Sequence, residues 1–243
     1  MQKIVLIGSG NVAHHLAQAL YDSGHQILQV ISKNKANASA LAQKVNADFE
    51  SDLGKIKRAD FAIVAVNDDA IAEVASKIKK LPVAHTSGSV SVENTAVFYP
   101  VQTFSKGISL ELKEVPFCVS SQDKAFEKTL IQVAKSISNK VFKIKEKQRK
   151  VLHLAAVFAC NFTNQMYTIA EQLLVESALD FEILKPLIAE TANKIQANDP
   201  QNAQTGPAKR KDLQTITNHI ALLEDKDLID VYKLISNQIL KQE

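Results

Sequence analysis

The sequence predicts an α/β fold: a doubly wound, mainly parallel sheet followed by an all-helical C-terminal half. Three observations predict it. The unbroken apolar run Ile4-Val5-Leu6-Ile7 is followed at once by Gly8-Ser9-Gly10 and then by apolar residues at helical spacing as far as Leu20. Short apolar strands and helical stretches alternate from there to Ile144, as in a sheet with helices on both faces. Beyond Lys145 the strand signal stops and only helical periodicity continues. Residues 1–145 are therefore assigned to an α/β domain and residues 146–243 to a helical one.

Four branched apolar residues in a row read as a strand buried on both faces. Gly8 permits the tight turn after it. Gly10 lets a pyrophosphate approach the backbone, and Ala13, in the place of a third glycine, keeps helix and strand close. The following helix offers free N–H groups and a partial positive charge to phosphates. Gly8, Ser9, Gly10, Asn11 and Val12 are accordingly the candidate pyrophosphate turn of a dinucleotide site.

Asp22-Ser23-Gly24 then stops the first helix, with Gly24 as a left-handed cap. The second strand spans 26–32, and its carboxyl end is where a dinucleotide protein reads the adenosine ribose. An NAD site places Asp or Glu there, but no acidic residue occurs between Asp22 and Asp48. The sequence offers Ser32-Lys33-Asn34-Lys35 instead. Hydroxyl and amide hydrogen bonds with lysine charges suit a 2′-phosphate that a carboxylate would repel, so NADP is the expected cofactor, held by Ser32, Lys33 and Lys35.

A helix over 36–45, a short strand over 47–49 and a buried strand over 61–66 come next. Val66 and Asn67, just past that strand, are cofactor-contact candidates, and Asp68 or Asn67 can cap the helix over 70–78, with capping the favoured role for Asp68. The strand ending at His85 leads into Thr86-Ser87-Gly88-Ser89, and Thr86 and Ser87 should face the nicotinamide. His85 reads as a hydrogen-bonded structural residue. A strand or strand-turn over 97–104, a strand over 117–119, a helix over 124–137 and a strand over 141–144 complete this half.

Composition excludes several classes of function. A net charge of +3, with no basic helix carrying interleaved aromatics, argues against nucleic acid. No apolar run approaches the roughly 18 residues of a membrane span. The chain opens directly into its first strand, which leaves no room for a signal peptide and makes a cytoplasmic protein the expectation. Cys118 and Cys160 fit no metal spacing and are expected to be buried, reduced thiols. No metal site is predicted.

In the second half, the run Lys140, Lys143, Lys145, Lys147, Arg149, Lys150 reads as a solvated strand end and helix entrance. A long helix over 148–177 follows, strongly apolar over 154–160, as in the core of a helical domain or a dimer. His153, Val157, Asn161 and Asn164, separated by steps of four, four and three, would share one face of an uninterrupted α-helix. Buried polar groups need partners, and a cofactor amide, a substrate or a neighbouring helix would each supply them. Asp180 is expected to cap a helix over 181–197 with Pro186 early in it. Residues 198–212 form the one long loop of this half, and final helices span 209–222 and 226–240.

The order GSGNVA, HTSG, YPVQTFS, HLAAVFACNFTN, QTGPAKRKD resembles a family of predicted NADP-dependent oxidoreductases. These join a Rossmann domain to an all-helical domain of unassigned function, and the resemblance covers nearly the whole chain. More distantly, the chain is similar to pyrroline-5-carboxylate reductase, the deazaflavin-dependent NADP reductases and the β-hydroxyacid dehydrogenases, which implies helices that pair in a homodimer. There are three departures. Tyr99 stands where many relatives have His, and Lys211 where a glycine is usual. The Lys-x-x-x-Asn pair of the β-hydroxyacid dehydrogenases matches at Asn161, but Val157 occupies the lysine position.

The expected activity is hydride transfer between nicotinamide and a small C=O or C=N substrate. His153 would act as general acid one turn before Val157, Asn161 and Asn164 would orient substrate, and Arg210 would clamp a carboxylate with its planar fork. A non-catalytic NADP(H) sensor is the alternative that the missing lysine favours. An S-adenosylmethionine methyltransferase is weaker, because its ribose hydroxyls also want an acid.

Overall fold

The computed structural model describes every residue except Lys106, Ser109 and Glu243. Eight strands form one sheet: β1 (Lys3–Ile7), β2 (Gln26–Ile31), β3 (Asp48–Glu50), β4 (Phe61–Val64), β5 (Val83–His85), β6 (Ala96–Pro100), β7 (Phe117–Ser120) and β8 (Val141–Lys143). Their order is β3-β2-β1-β4-β5-β6-β7-β8. All neighbouring pairs are parallel except β6 and β7. The β6–β7 connection carries a single 3-10 turn, Leu112–Glu114, among its described residues.

The helices α1 (Asn11–Asp22), α2 (Lys35–Lys44), α3 (Asp68–Lys77) and α4 (Lys124–Ile137) cover both faces of the sheet. Alternate residues of β1 feed the two cores. Ile4 and Leu6 pack with α1, α2 and α4 residues such as Leu16, Leu41 and Leu130, whereas Val5 and Ile7 pack with Ile71 and Ala75 of α3. That period of two, apolar on both sides, is why β1 reads as a continuous hydrophobic run.

The second half begins with α5 (Glu146–Ala156), a π segment (Val157–Phe162) and α6 (Thr163–Glu176). A 3-10 turn (Phe181–Leu184), α7 (Lys185–Ala197), α8 (Pro200–Ala203), α9 (Leu213–Ala221) and α10 (Lys226–Leu240) follow. Two compact units result, Met1–Asn164 and Gln165–Glu243.

Several expectations change. The long helix is interrupted by the π segment, so the 3.6-residue period that placed His153, Asn161 and Asn164 on one face does not hold across it. Asp180 caps the 3-10 turn by accepting from the Glu182 N–H at 2.9 Å, and α7 starts after it, at Lys185. The loop over 198–212 contains α8. The next helix starts at Leu213 instead of residue 209, because Asp212 accepts from the Thr215 N–H at 3.1 Å and defines the N-terminus there. Lys211, just before that cap, holds φ +57°. Glycine adopts this left-handed conformation without penalty, which explains the glycine usual at this position.

Burial divides the units sharply. Cys118 is buried, but Cys160 is exposed in the single chain, against expectation; both are free thiols. Leu154 and Phe158, expected to be buried in a helical core or a dimer, are also exposed in the single chain, as is Phe162. Among the described residues of the second unit only Ala208 and Ser236 are buried. An apolar cavity of about 280 Å³ lies within it, lined by residues that include Met166, Leu173, Leu228 and Tyr232. No helix among the described residues is long and apolar enough to cross a membrane.

Candidate functional site

Strand order reverses between β1 and β4, and in such sheets ligands bind at the carboxyl ends of the strands around that point. Gly8 lies there with φ +116°, its N–H bonded to the Ile31 carbonyl at 2.8 Å. A β carbon on it would sit 2.0 Å from the Ala65 carbonyl oxygen and 3.4 Å from Val66 Cγ1. Only glycine closes this turn. At Gly10 a β carbon would meet nothing within 4 Å, so the space over the turn is open. Gly10 is also the N-cap of α1, and no side chain caps that helix. Open space above free helix-terminal N–H groups fits a pyrophosphate. The Asn11 side-chain amide is committed, donating to the Phe104 carbonyl at 2.9 Å.

At the end of β2 the Ser32 hydroxyl accepts from the Ser9 hydroxyl at 2.8 Å and from the Asn34 N–H at 3.3 Å. This joins the pyrophosphate turn to the candidate 2′-phosphate site. Asn34 spends its side chain capping α2, while Lys33 and Lys35 are exposed. The pairing of β2 with β3 brings a carboxylate, Glu50, beside Ile31, which the gap in acidic residues did not foretell. Its Oε1 accepts from the Ser51 N–H at 2.7 Å and its Oε2 pairs with Lys55 at 3.2 Å. Those hydrogen bonds hold its pKa below the usual carboxylate range.

Past β4, Val66 is half-buried and Asn67 is exposed. Asn67 is the N-cap of α3 and makes no side-chain capping bond. Of the two expected caps, Asn67 thus takes the position and Asp68 does not. Asp68 instead lies inside the first turn of α3, and its carboxylate accepts from the Ser89 hydroxyl.

The loop after β5 is the most constrained part of the site. Thr86 is half-buried, and Ser87 is buried with its Oγ accepting from the Ser89 and Val90 N–H groups at 3.1 and 3.0 Å. His85 is buried, and its Nδ1 accepts from the Ser87 N–H at 3.3 Å. Burial first, and then the charge of Arg149, push its pKa down to about 4, so the ring is neutral at physiological pH. That is the structural role the sequence suggested. Gly88 lies against two rings, and a β carbon on it would come within 2.6 Å of His153 Nδ1 and 2.7 Å of Tyr99 Cζ. Tyr99 Oη and His153 Nδ1 are 3.2 Å apart. Burial pushes the Tyr99 phenol pKa up, which keeps it a hydrogen-bond donor.

Sequence reasoning missed Arg149. Read as part of a solvated basic run, it is instead fully buried, with Nη1 donating to the Ser87 carbonyl at 3.0 Å. The rest of that run is polar helix entrance, where Gln148 Oε1 accepts from the Lys145 N–H at 3.1 Å. The structure thus gathers Ser87, Gly88, Tyr99, Arg149 and His153 around one loop. Asn161 and Asn164 are exposed. Arg210 belongs to the second unit, is exposed, and bonds through its backbone N–H to the Gly206 carbonyl at 3.2 Å.

Comparison with known proteins agrees with this geometry. Residues 3–94 match the model of the family described as NADP oxidoreductase coenzyme F420-dependent, and residues 115–239 match a domain of unknown function, DUF2520. A solved structure from Bacteroides fragilis, whose name proposes an NADP oxidoreductase, is 40% identical with a TM-score of 0.91, covering 99% of this chain and 98% of its own. An imine reductase from Myxococcus stipitatus solved with NADP+ shares the fold at 15% identity and a TM-score of 0.68, over 98% of this chain and 94% of its own. A 1-pyrroline-5-carboxylate reductase from Streptococcus pyogenes does so at 11% identity and 0.64, over 98% of each chain. No functionally curated protein matches the chain.

A Rossmann-type sheet, an open glycine turn and these matches define the class, an NADP-dependent oxidoreductase with a helical C-terminal region. Within that class the chain belongs to the DUF2520 family, whose model covers its C-terminal half.

Proposed function

We propose that the protein moves a hydride between the nicotinamide of NADP(H) and a small C=O or C=N substrate. The observation that carries this reading is the Tyr99–His153 pair held against Gly88 in the loop after β5. Because β1 to β3 form the adenosine half of such a site, the β4–β6 half receives the nicotinamide. When bound, NADPH supplies the hydride.

The chain supplies orientation and a proton. The Gly8–Val12 turn holds the pyrophosphate, and Ser32, Lys33 and Lys35 hold the 2′-phosphate. Val66, Asn67, Thr86 and Ser87 line the nicotinamide side. A hydrogen bond from the Tyr99 hydroxyl to His153 Nδ1 leaves Nε2 to carry the ring proton. As the carbon accepts hydride, His153 gives the Nε2 proton to the substrate oxygen or nitrogen while the Tyr99 hydroxyl passes its proton to Nδ1. The ring thus stays neutral, and Tyr99 takes a proton back from solvent before the next turnover.

Calorimetric titration with NADPH and, separately, NADH tests the cofactor assignment. NADPH is expected to bind at least about tenfold more tightly, a difference of about 1.4 kcal/mol. Equal affinities would remove the 2′-phosphate role of Ser32, Lys33 and Lys35, and binding of neither would remove the dinucleotide. Binding with no turnover across a panel of carbonyl and imine substrates would favour the sensor reading, which Val157 in the place of a lysine supports.

The active form is proposed to be a homodimer through the C-terminal helices. Leu187, Leu213, Leu222 and Leu234 are exposed in a unit with two buried residues among those described, and a helical unit of this size needs a core to be stable. Light scattering at micromolar concentration is expected to give twice the chain mass. A monomeric mass would sink this assignment.

A further inference from the structure

Arg149 takes part in no step of the proposed reaction, yet it is the largest fully buried side chain among the described residues. It sits on α5, with Nη1 donating to the Ser87 carbonyl at 3.0 Å and Nη2 to the Ser91 hydroxyl oxygen at 3.3 Å. Its Nε has no partner among the described residues. Removing a guanidinium from water costs several kcal/mol, and two bonds to neutral oxygens offset only part of that. Arg149 therefore contributes little to stability for its burial. What it does is hold one loop.

That loop is anchored at every polar atom of Ser87. The N–H goes to His85 Nδ1, the carbonyl to Arg149, and the hydroxyl to the Ser89 and Val90 N–H groups. Ser89 is tied to Asp68, and the Ser91 hydroxyl donates to Glu146 Oε1 at 2.6 Å. Arg149 is the one cation among these anchors, and it bridges two points of the loop, Ser87 and Ser91. A planar fork spans two oxygens in a way an ammonium cannot. The same charge, added to burial, keeps His85 neutral and able to accept from Ser87.

We infer that Arg149 is a positioning residue: by fixing the Ser87 carbonyl and the Ser91 hydroxyl from α5, it sets the edge that Thr86 and Ser87 present to the nicotinamide end of the cofactor. This rests on the cofactor orientation proposed above. It predicts a loss confined to one half of the dinucleotide.

The test is calorimetric titration of the full chain and its Arg149→Met and Arg149→Lys variants with NADPH and with 2′,5′-ADP, which carries the 2′-phosphate but no nicotinamide. Arg149→Met is expected to weaken NADPH about tenfold, the scale of one hydrogen bond lost where the released loop edge no longer meets the nicotinamide end, and to leave 2′,5′-ADP within about twofold. Arg149→Lys should recover part of the loss. Equal weakening of both ligands would make Arg149 a general structural support, and no change in either would remove its role; both outcomes overturn the inference. Should Arg149→Met fail to fold, the ratio of the two affinities in Arg149→Lys decides the matter in the same way. If the parent protein binds neither ligand, the cofactor reading itself has failed; a parent that binds both alongside a variant with an unchanged ratio rejects Arg149 alone.

Discussion

The Gly8→Ala protein is expected to lose about 4 kcal/mol or more of folding stability, enough to unfold a marginally stable domain. Two effects add at this position. The backbone holds φ +116°, a conformation that L side chains rarely adopt, and the new β carbon would sit 2.0 Å from the Ala65 carbonyl oxygen. That oxygen belongs to backbone just past β4, whose Ala65 N–H is bonded to the Ile7 carbonyl at 2.7 Å, so it cannot retreat without disturbing the β1–β4 pairing. Gly10→Ala is the control that separates folding from binding. Gly10 has φ −82° and an added β carbon meets nothing within 4 Å, so stability should change by about 1 kcal/mol or less. The methyl group would nonetheless stand where a pyrophosphate approaches the backbone, and NADPH affinity is expected to fall about tenfold or more. Urea unfolding midpoints and NADPH titrations of the two proteins check both halves. A Gly8→Ala protein as stable as its parent would show that Ala65 yields, and undiminished NADPH binding by Gly10→Ala would move the pyrophosphate elsewhere.

The second large effect concerns the proton. His153→Ala is expected to lower turnover at least about a hundredfold, the usual scale for a general acid, while leaving NADPH affinity intact. The substrate would be whichever carbonyl or imine a screen yields. Tyr99→Phe should lie between parent and His153→Ala, because it removes the Nδ1 partner at 3.2 Å without removing the imidazole. Steady-state kinetics with and without saturating NADPH separate the two terms. Turnover unchanged in His153→Ala removes this residue from the mechanism. A parallel rise in the NADPH dissociation constant would show that the ring only supports the Gly88 loop.

Much of the N-terminal unit was legible because its signals are local. The four apolar residues before Gly8, the left-handed Gly24 (φ +83°) and the helix Lys124–Ile137 with its Asp123 cap each depend on neighbours within a few residues. Legibility fell where a residue's environment is built from distant chain. Asp68 reads as a cap until β5 brings Ser89 to it, and the His153–Asn161–Asn164 stripe assumed a period that the π segment interrupts. Arg149 sits among lysines, and composition alone makes such a run a solvated face.

By itself, the sequence determined the alternation of strand and helix, the glycine turn and its placement between β1 and α1, the absence of an acid on β2, and the switch to helices after β8. All of these are written in hydrophobic period and in backbone freedom, which act over one or two turns of chain. Only the tertiary structure decided that β7 runs antiparallel, that Glu50 comes alongside Ser32 with its carboxylate already tied, and that Arg149 leaves solvent to hold a loop 62 residues earlier in the chain. Such outcomes follow from which surfaces meet. A side chain's burial, partners and charge state are properties of that meeting, and residues close in sequence do not encode them.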